Sequence, residues 1–363
     1  MDAGRDSLGS RFESSPNALN LLRLLLAFEV LAWHSWALRG GSLPPRVQLF
    51  VADVGVDGFF AISGLLICRA WLRHPNLSRF AVARARRILP GLWVCLAVTA
   101  LLIAPAVSFA VGDPVPSPGA SWSYLLSNAG VWVNEWDIGG TPRGLADGAW
   151  NGSLWTLAWE CMCYAAVALL GVLRLLRPRV VLGVTVAFWS YGLVLELVGI
   201  SGVAVARPMW QWMPQRAGLM FATGAALWCY RDRIRLDRRL VMASVAVLPL
   251  SIVLVDNYRL LAAPAVAYLC MSLALTLGRH QAARLTHDIS YGVYIYAFPL
   301  QQALLLLGCG RLPWLWFLAL SVVSVVPAAV ASWVLVERPM TRRRRTAHPP
   351  TPQRVALGGA ALH

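Results

Sequence analysis

Apolar runs close to bilayer-spanning length recur along nearly the whole chain, each bounded by arginines or by proline and glycine breaks. Such runs begin near residues 17, 48, 88, 153, 179, 212, 239, 258, 289 and 313. They predict an all-α fold, a polytopic helical bundle with about ten transmembrane helices. An even number of crossings puts both termini on one side. With that alternation, 24 arginines fall in segments on the terminal side and 7 on the other. The positive-inside rule then makes both termini cytoplasmic, in a multi-pass protein of the cytoplasmic membrane. The expected organisation is a cytoplasmic segment over 1–16, one transmembrane domain over 17–338 and a basic, disordered tail over 339–363. That tail opens with Arg342 to Arg345 and is suited to touch anionic lipid. The first twenty residues lack the small-residue cleavage pattern of a signal peptide, so the first span is expected to be retained.

Composition sharpens this picture without changing it. The chain is 58% hydrophobic and 13% charged, as a bundle solvated by lipid requires. Its formal charge of +15 raises nucleic acid as a partner, but the arginines are dispersed among the loops and form no single basic face, so nucleic acid is excluded. All 32 basic residues are arginine, which points to a GC-rich, bacterial coding sequence. The seven cysteines lie within or beside apolar runs, where a thiol acts as a small apolar group. Cys161 and Cys163 have the wrong spacing for a zinc site and no histidine near them in sequence, so no metal is expected. No Walker loop, dinucleotide fingerprint or serine elbow is present.

Candidate chemistry begins in the first span, where Arg23 and His34 interrupt an otherwise lipid-soluble stretch. Ionisable groups at such depth are costly and mark function. Eleven residues make almost three helical turns, so both project from one face, about 16 Å apart. His34 is the only one of six histidines within a predicted span. It is the natural proton handler, a general base near neutral pH; the structural alternative is a hydrogen bond between helices. Counted from the outer ends of their spans, His34, Asp57 and Glu160 fall at similar depth, roughly 6–13 Å below the surface. Asp57 or Glu160 can therefore orient the imidazole, with an interfacial cap and a helix-to-helix hydrogen bond as the respective alternatives. Glu29 faces away from Arg23 and receives no role. Asp57 and Ser63 sit in the small-residue stretch Val54 to Gly64, which lets helices approach closely and leaves room for a thin channel. Arg84 and Arg87, three apart before a span, share a face that suits phosphate or pyrophosphate, although topology alone also asks for arginines there. The long segment 111–152 leads into Asn151-Gly-Ser-Leu-Trp155 and can cap a cavity. Tryptophans such as Trp122, Trp132, Trp136 and Trp150 suit an interfacial belt or the stacking of sugars.

In order, these residues resemble the acyltransferase 3 family of integral-membrane O-acyltransferases, from Arg23 to Pro339. The family's arginine, ten residues, histidine signature corresponds to Arg23 and His34. Its Gly-Val-Asp-x-Phe-Phe-x-x-Ser-Gly block corresponds to Gly55 through Gly64, and its Arg-x-x-Arg-Ile-x-Pro to Arg84 through Pro90. Asn-Gly-Ser-Leu-Trp-x-Leu-x-x-Glu runs from Asn151 to Glu160. Arg216 with Phe221 and Gly224, Ile289-Ser-Tyr291, and Ser332 with Glu337 and Pro339 complete the set. One departure stands out: where many members continue to Trp-His-x-Pro, this chain reads Tyr296-Ala297-Phe298-Pro299, so any role of that second histidine is absent.

The resemblance implies transfer of an acyl group, commonly acetyl, from cytoplasmic acyl-CoA to a hydroxyl of a sugar or cell-surface polysaccharide, with no permanently bound cofactor. In that scheme Arg84 and Arg87, with Ser63 farther in, hold the donor, and Arg23 guides it. His34 is base or transient acyl carrier, oriented by Asp57 or Glu160. Arg216, Asn151 and Trp155 face the acceptor. A separate extracytoplasmic acyl-handling protein is a further expected partner. Two rival readings stand beside this one: acylation of a macrolide or other glycosylated metabolite, and a proton-coupled transporter or lipid flippase that moves substrate without acyl-CoA.

Overall fold

A computed structural model describes residues 7–145, 148–200 and 213–342. Among the described residues every regular element is helical, and β-pairing is confined to two isolated bridges. Six helices are long and apolar enough to cross a membrane, or seven if one sharply bent pair counts as a span. The chain is thus a helical membrane protein. The bent pair joins α1 (Leu8–Ser14) to α2 (Leu19–Ala37) at 106°; Arg23, Glu29 and His34 lower the hydropathy of α2 too far for it to qualify alone. The remaining helices are α3 (Pro45–Arg73), α4 (Leu77–Val98), α5 (Ala104–Val111), α6 (Pro118–Asn128), α7 (Trp155–Val172), α8 (Pro178–Leu197), α9 (Leu219–Cys229), α10 (Arg238–Leu254), α11 (Arg259–Leu277), α12 (Ser290–Leu306), α13 (Trp314–Ser332) and α14 (Arg338–Arg342).

Among the described residues a helix accompanies each of the ten expected runs, and six of these, or seven with the bent pair, have the length and hydropathy of a span. Helices α10 and α12 have 17 residues each, and α9 with the turn before it is also short. The third run also starts earlier than its hydropathy suggests. Helix α4 begins at Leu77, where the Asn76 side chain accepts a hydrogen bond from Arg79 N at 2.8 Å, capping the first turn. Its Arg79 to Arg87 stretch is polar but strongly helix-forming. Wider π-helical turns, which concentrate at functional sites, occur at Thr99–Ile103, Pro214–Gly218 and Trp333–Glu337. The first six residues and the tail beyond Arg342 lie outside the described residues.

Glycines set the closest helix crossing. A Cβ on Gly64 of α3 would meet the Phe221 carbonyl oxygen of α9 at 1.9 Å, and one on Gly224 of α9 would meet Ala61 O at the same distance. Backbones approach this closely only where no side chain intervenes. Gly55 and Gly58 do the same toward α2, against Glu29 and Leu26. The small-residue stretch thus serves helix packing, and the neighbouring helices fill the space these glycines leave.

Candidate active site

Prolines inside helices expose carbonyls, and side chains answer two of them. Pro299 has no N–H to bond Ile295 O, so that oxygen accepts from Asn151 Nδ2 at 2.9 Å and from Cys95 Sγ at 3.3 Å. Pro264 likewise frees Leu260 O, which accepts from Trp189 Nε1 at 2.8 Å. In a lipid-facing protein such groups must be satisfied internally. Asn151, expected near the acceptor, is therefore buried and pins the turn before α7 onto α12. Gly152 next to it leaves room for the Phe298 ring.

That ring meets His34 edge to face, with centroids 5.3 Å apart. His34 lies in the last turn of α2, with Nδ1 2.8 Å from its own helix's Val30 carbonyl. A carbonyl only accepts, so this contact places the proton on Nδ1 and leaves the lone pair of a neutral ring on Nε2.

The two carboxylates expected to orient His34 serve other partners. Asp57 is fully buried. It accepts from Tyr258 OH and from Arg259 Nε, the latter at 2.6 Å. Arg259 reaches Asp53 at 2.6 Å, and Arg216 reaches Asp53 at 2.5 Å and Asp57 at 3.8 Å. Asp53, Asp57, Arg216 and Arg259 form a buried, charge-balanced quartet. Gly55, between the two aspartates, packs on Glu29, about 7.5 Å nearer the Arg23 end of α2 than His34. Arg216, expected on the acceptor side, sits in this quartet with its guanidinium 5.2 Å over the Trp155 ring. Glu160 instead accepts from Ser63 Oγ at 2.7 Å and from Tyr164 OH, bringing together two residues given different roles. Trp150 is buried, its indole N–H on Thr141 Oγ1 at 3.1 Å, while Trp122, Trp132 and Trp136 are exposed.

A second ion cluster occupies the Arg23 end of the bundle. Arg23 and Arg87 converge on Asp288 Oδ2 at 2.6 and 2.7 Å, and Arg87 also reaches Glu337 at 3.0 Å. Glu337 accepts from Ser332 Oγ at 3.1 Å and Asp288 from Ser290. Burial pushes the Asp288 carboxyl up, but the Arg23 and Arg87 charges and the Ser290 hydrogen bonds outweigh it and hold its pKa below the usual carboxylate value. Asp288 and Glu337 were not assigned roles from sequence. Their signal was position: an acid immediately before Ile289-Ser-Tyr291, and one inside the Ser332 to Pro339 motif just before Arg338. A cavity of about 330 Å³ opens beside this cluster, lined by Arg23, Ser63, Arg84, Arg86, Arg87 and Tyr164 among others. Arg23 also lines a narrower space of about 50 Å³ with Thr156, Glu160, Ser290 and Tyr294.

A basic chamber and a constricted, mostly apolar passage share Arg23, and His34 lies about 16 Å farther along α2. The Acyltransferase domain family matches residues 17–333. The chain belongs to the acyltransferase 3 family. Along this acyltransferase chain, 89% of its length aligns at 29% identity with 95% of an O-acetyl transferase of Shigella phage Sf6. A further 27% identity links 90% of it to 94% of Nodulation protein 10 of Rhizobium leguminosarum bv. viciae. No solved structure matches. Within this family frame, the motif residues divide into two groups. Arg23, Ser63, Arg84, Arg87, Glu160 and Glu337 gather at the chamber and passage, whereas Asp57, Arg216 and Asn151 hold helices together.

Proposed function

We propose that this protein moves an acyl group, acetyl by its likeness to the phage enzyme, from cytoplasmic acyl-CoA to a hydroxyl of a sugar or cell-surface glycan. The observation that carries this reading is the arginine-lined chamber that shares Arg23 with the narrow passage. Arg23 and Arg87 are neutralised by Asp288 and Glu337, so Arg86, the exposed arginine of the chamber, supplies the charge that receives the donor's phosphates. The slender pantetheine arm of the donor suits a passage too narrow for a sugar. His34, with Nε2 as its basic nitrogen, takes the proton from the acceptor hydroxyl. The thioester C–S bond breaks, the ester C–O bond forms, and the proton leaves on the CoA thiol. In the acyl-carrier version His34 holds the acyl group between two such steps. The arginine distribution supports cytoplasmic termini and, with them, a chamber open to the donor side. The acceptor arrives from the opposite side, or the acyl group passes there to a separate protein.

The test is release of free CoA by purified protein in nanodiscs, supplied with acetyl-CoA and a pool of host glycans. Folded His34→Ala is expected to lose turnover. Arg86→Gln is expected to raise the donor KM roughly tenfold or more, the worth of one charge-assisted contact. Wild-type protein that neither binds nor consumes acyl-CoA would overturn the reading and favour transport.

A further inference from the structure

Between α4 and α7 lies a groove of about 700 Å³ whose walls are almost wholly apolar. On α4 its lining runs from Leu77 to Leu89. That is about 18 Å of helix, close to the depth of one leaflet's hydrocarbon, half of a core about 30 Å thick. On α7 the wall includes Ala168 and Val172. Arg84 is the one charged residue among the lining positions, and with Tyr164 it also lines the chamber.

Arg84 differs from the other arginines of the chamber that lie within helix-packed surroundings. Arg23 and Arg87 each hold a carboxylate. Arg84 makes no ion pair among the described residues; its Nε is buried without a hydrogen-bond partner, and its guanidinium lies 6.0 Å over the Tyr164 ring. A guanidinium at membrane depth calls for an anion, and a planar fork suits phosphate. A soluble phosphate or nucleotide would satisfy the charge but could not use 18 Å of apolar wall. A molecule with a phosphate at one end and a hydrocarbon chain at the other uses both.

We propose that the α4–α7 groove is a binding site for an anionic membrane phospholipid, with its phosphate on Arg84 and one acyl chain lying along α4 and α7. Such a lipid neutralises Arg84 from the groove side, as Asp288 neutralises Arg23 and Arg87 from within the bundle. The site stands independently of the proposed acyl transfer, because its test reads lipid and not turnover.

The full chain is reconstituted in nanodiscs of equimolar phosphatidylglycerol and phosphatidylcholine, extracted in mild detergent, and the retained lipid is quantified by native mass spectrometry. Wild type is expected to retain phosphatidylglycerol about tenfold over phosphatidylcholine, the discrimination expected of one charge-assisted contact. Arg84→Gln should bring that ratio near unity. Ala85→Trp, at an exposed position lining the groove, should displace the lipid while leaving the arginine and the helix interior intact. Both variants are compared only as monodisperse protein. Equal retention of the two lipids by wild type refutes the site, as does phosphatidylglycerol retention undiminished in both variants. Thermal protection by millimolar inorganic phosphate equal to that by phosphatidylglycerol also refutes it, assigning Arg84 to a soluble anion.

Discussion

Replacing Arg259 by leucine tests whether the buried quartet carries stability or catalysis. The substitution leaves Asp53 with Arg216 and strands Asp57, which is fully buried and retains only the Tyr258 hydroxyl and an Arg216 contact at 3.8 Å. Breaking one side of a buried ion pair costs about 3–5 kcal/mol, because the remaining charge is neither solvated nor paired. The unfolding entropy of globular chains is about 2.1 cal/mol/K per residue, so 363 residues give roughly 0.8 kcal/mol/K. The predicted fall in Tm is about 4–7 °C, measured by size-exclusion fluorescence after heating in detergent. Adding Asp57→Asn to Arg259→Leu removes the stranded charge while keeping a partner for Tyr258, and should restore at least half of the loss. A single variant within about 1 °C of wild type, or a double variant no better than the single, would refute the claim that these four charges are desolvated and mutually compensating. If Asp57 instead oriented His34, Arg259→Leu would leave stability alone.

Two further outcomes follow from contacts at the other helix junctions. Asn151→Leu leaves the Ile295 carbonyl, which Pro299 cannot serve, with only the weak Cys95 thiol as donor, so it should cost about 1–3 kcal/mol in detergent unfolding, and Asn151→Asp should not rescue it because a carboxylate lacks the N–H. Asp288 has a folded pKa below its unfolded value. Its ion pairs are therefore fully present at neutral pH and are lost as pH falls below about 4, through the lowered folded value; the stability gap between wild type and Asp288→Asn should be constant from pH 7 to 5 and shrink only at more acidic pH.

What the sequence disclosed was periodicity and close approach. The eleven-residue interval of Arg23 and His34 put them on one face of α2, and the glycines around Asp57 foretold tight crossings, realised at Gly64 and Gly224. Hydropathy located helices but misjudged the third run, because an arginine-rich turn capped by Asn76 is helical without being apolar. Ion pairing stayed hidden. Arg216 reads from sequence as facing the acceptor and Arg259 as one of the arginines on the side away from the termini, yet both turn inward to aspartates that lie more than 150 residues away in sequence. Asp288 and Glu337 looked like ordinary loop and motif acids until the fold carried them to Arg23 and Arg87. Depth counted from span ends cannot distinguish such pairings, since it fixes height along the bundle and not the direction around a helix.

Charge balance separates two clusters that look alike in sequence. In the quartet two arginines face two aspartates, leaving no net charge to attract a ligand and little reason for an anion to enter. At the other end, Asp288 and Glu337 answer Arg23 and Arg87, while Arg84 and Arg86 also line the cavity without a carboxylate partner among the described residues. The excess of two positive charges beside an open volume is what draws an anionic ligand. On the proposed reading, recognition of phosphate belongs at the Arg84 end, and the quartet's arginines hold α3, the Pro214–Gly218 turn and α11 together.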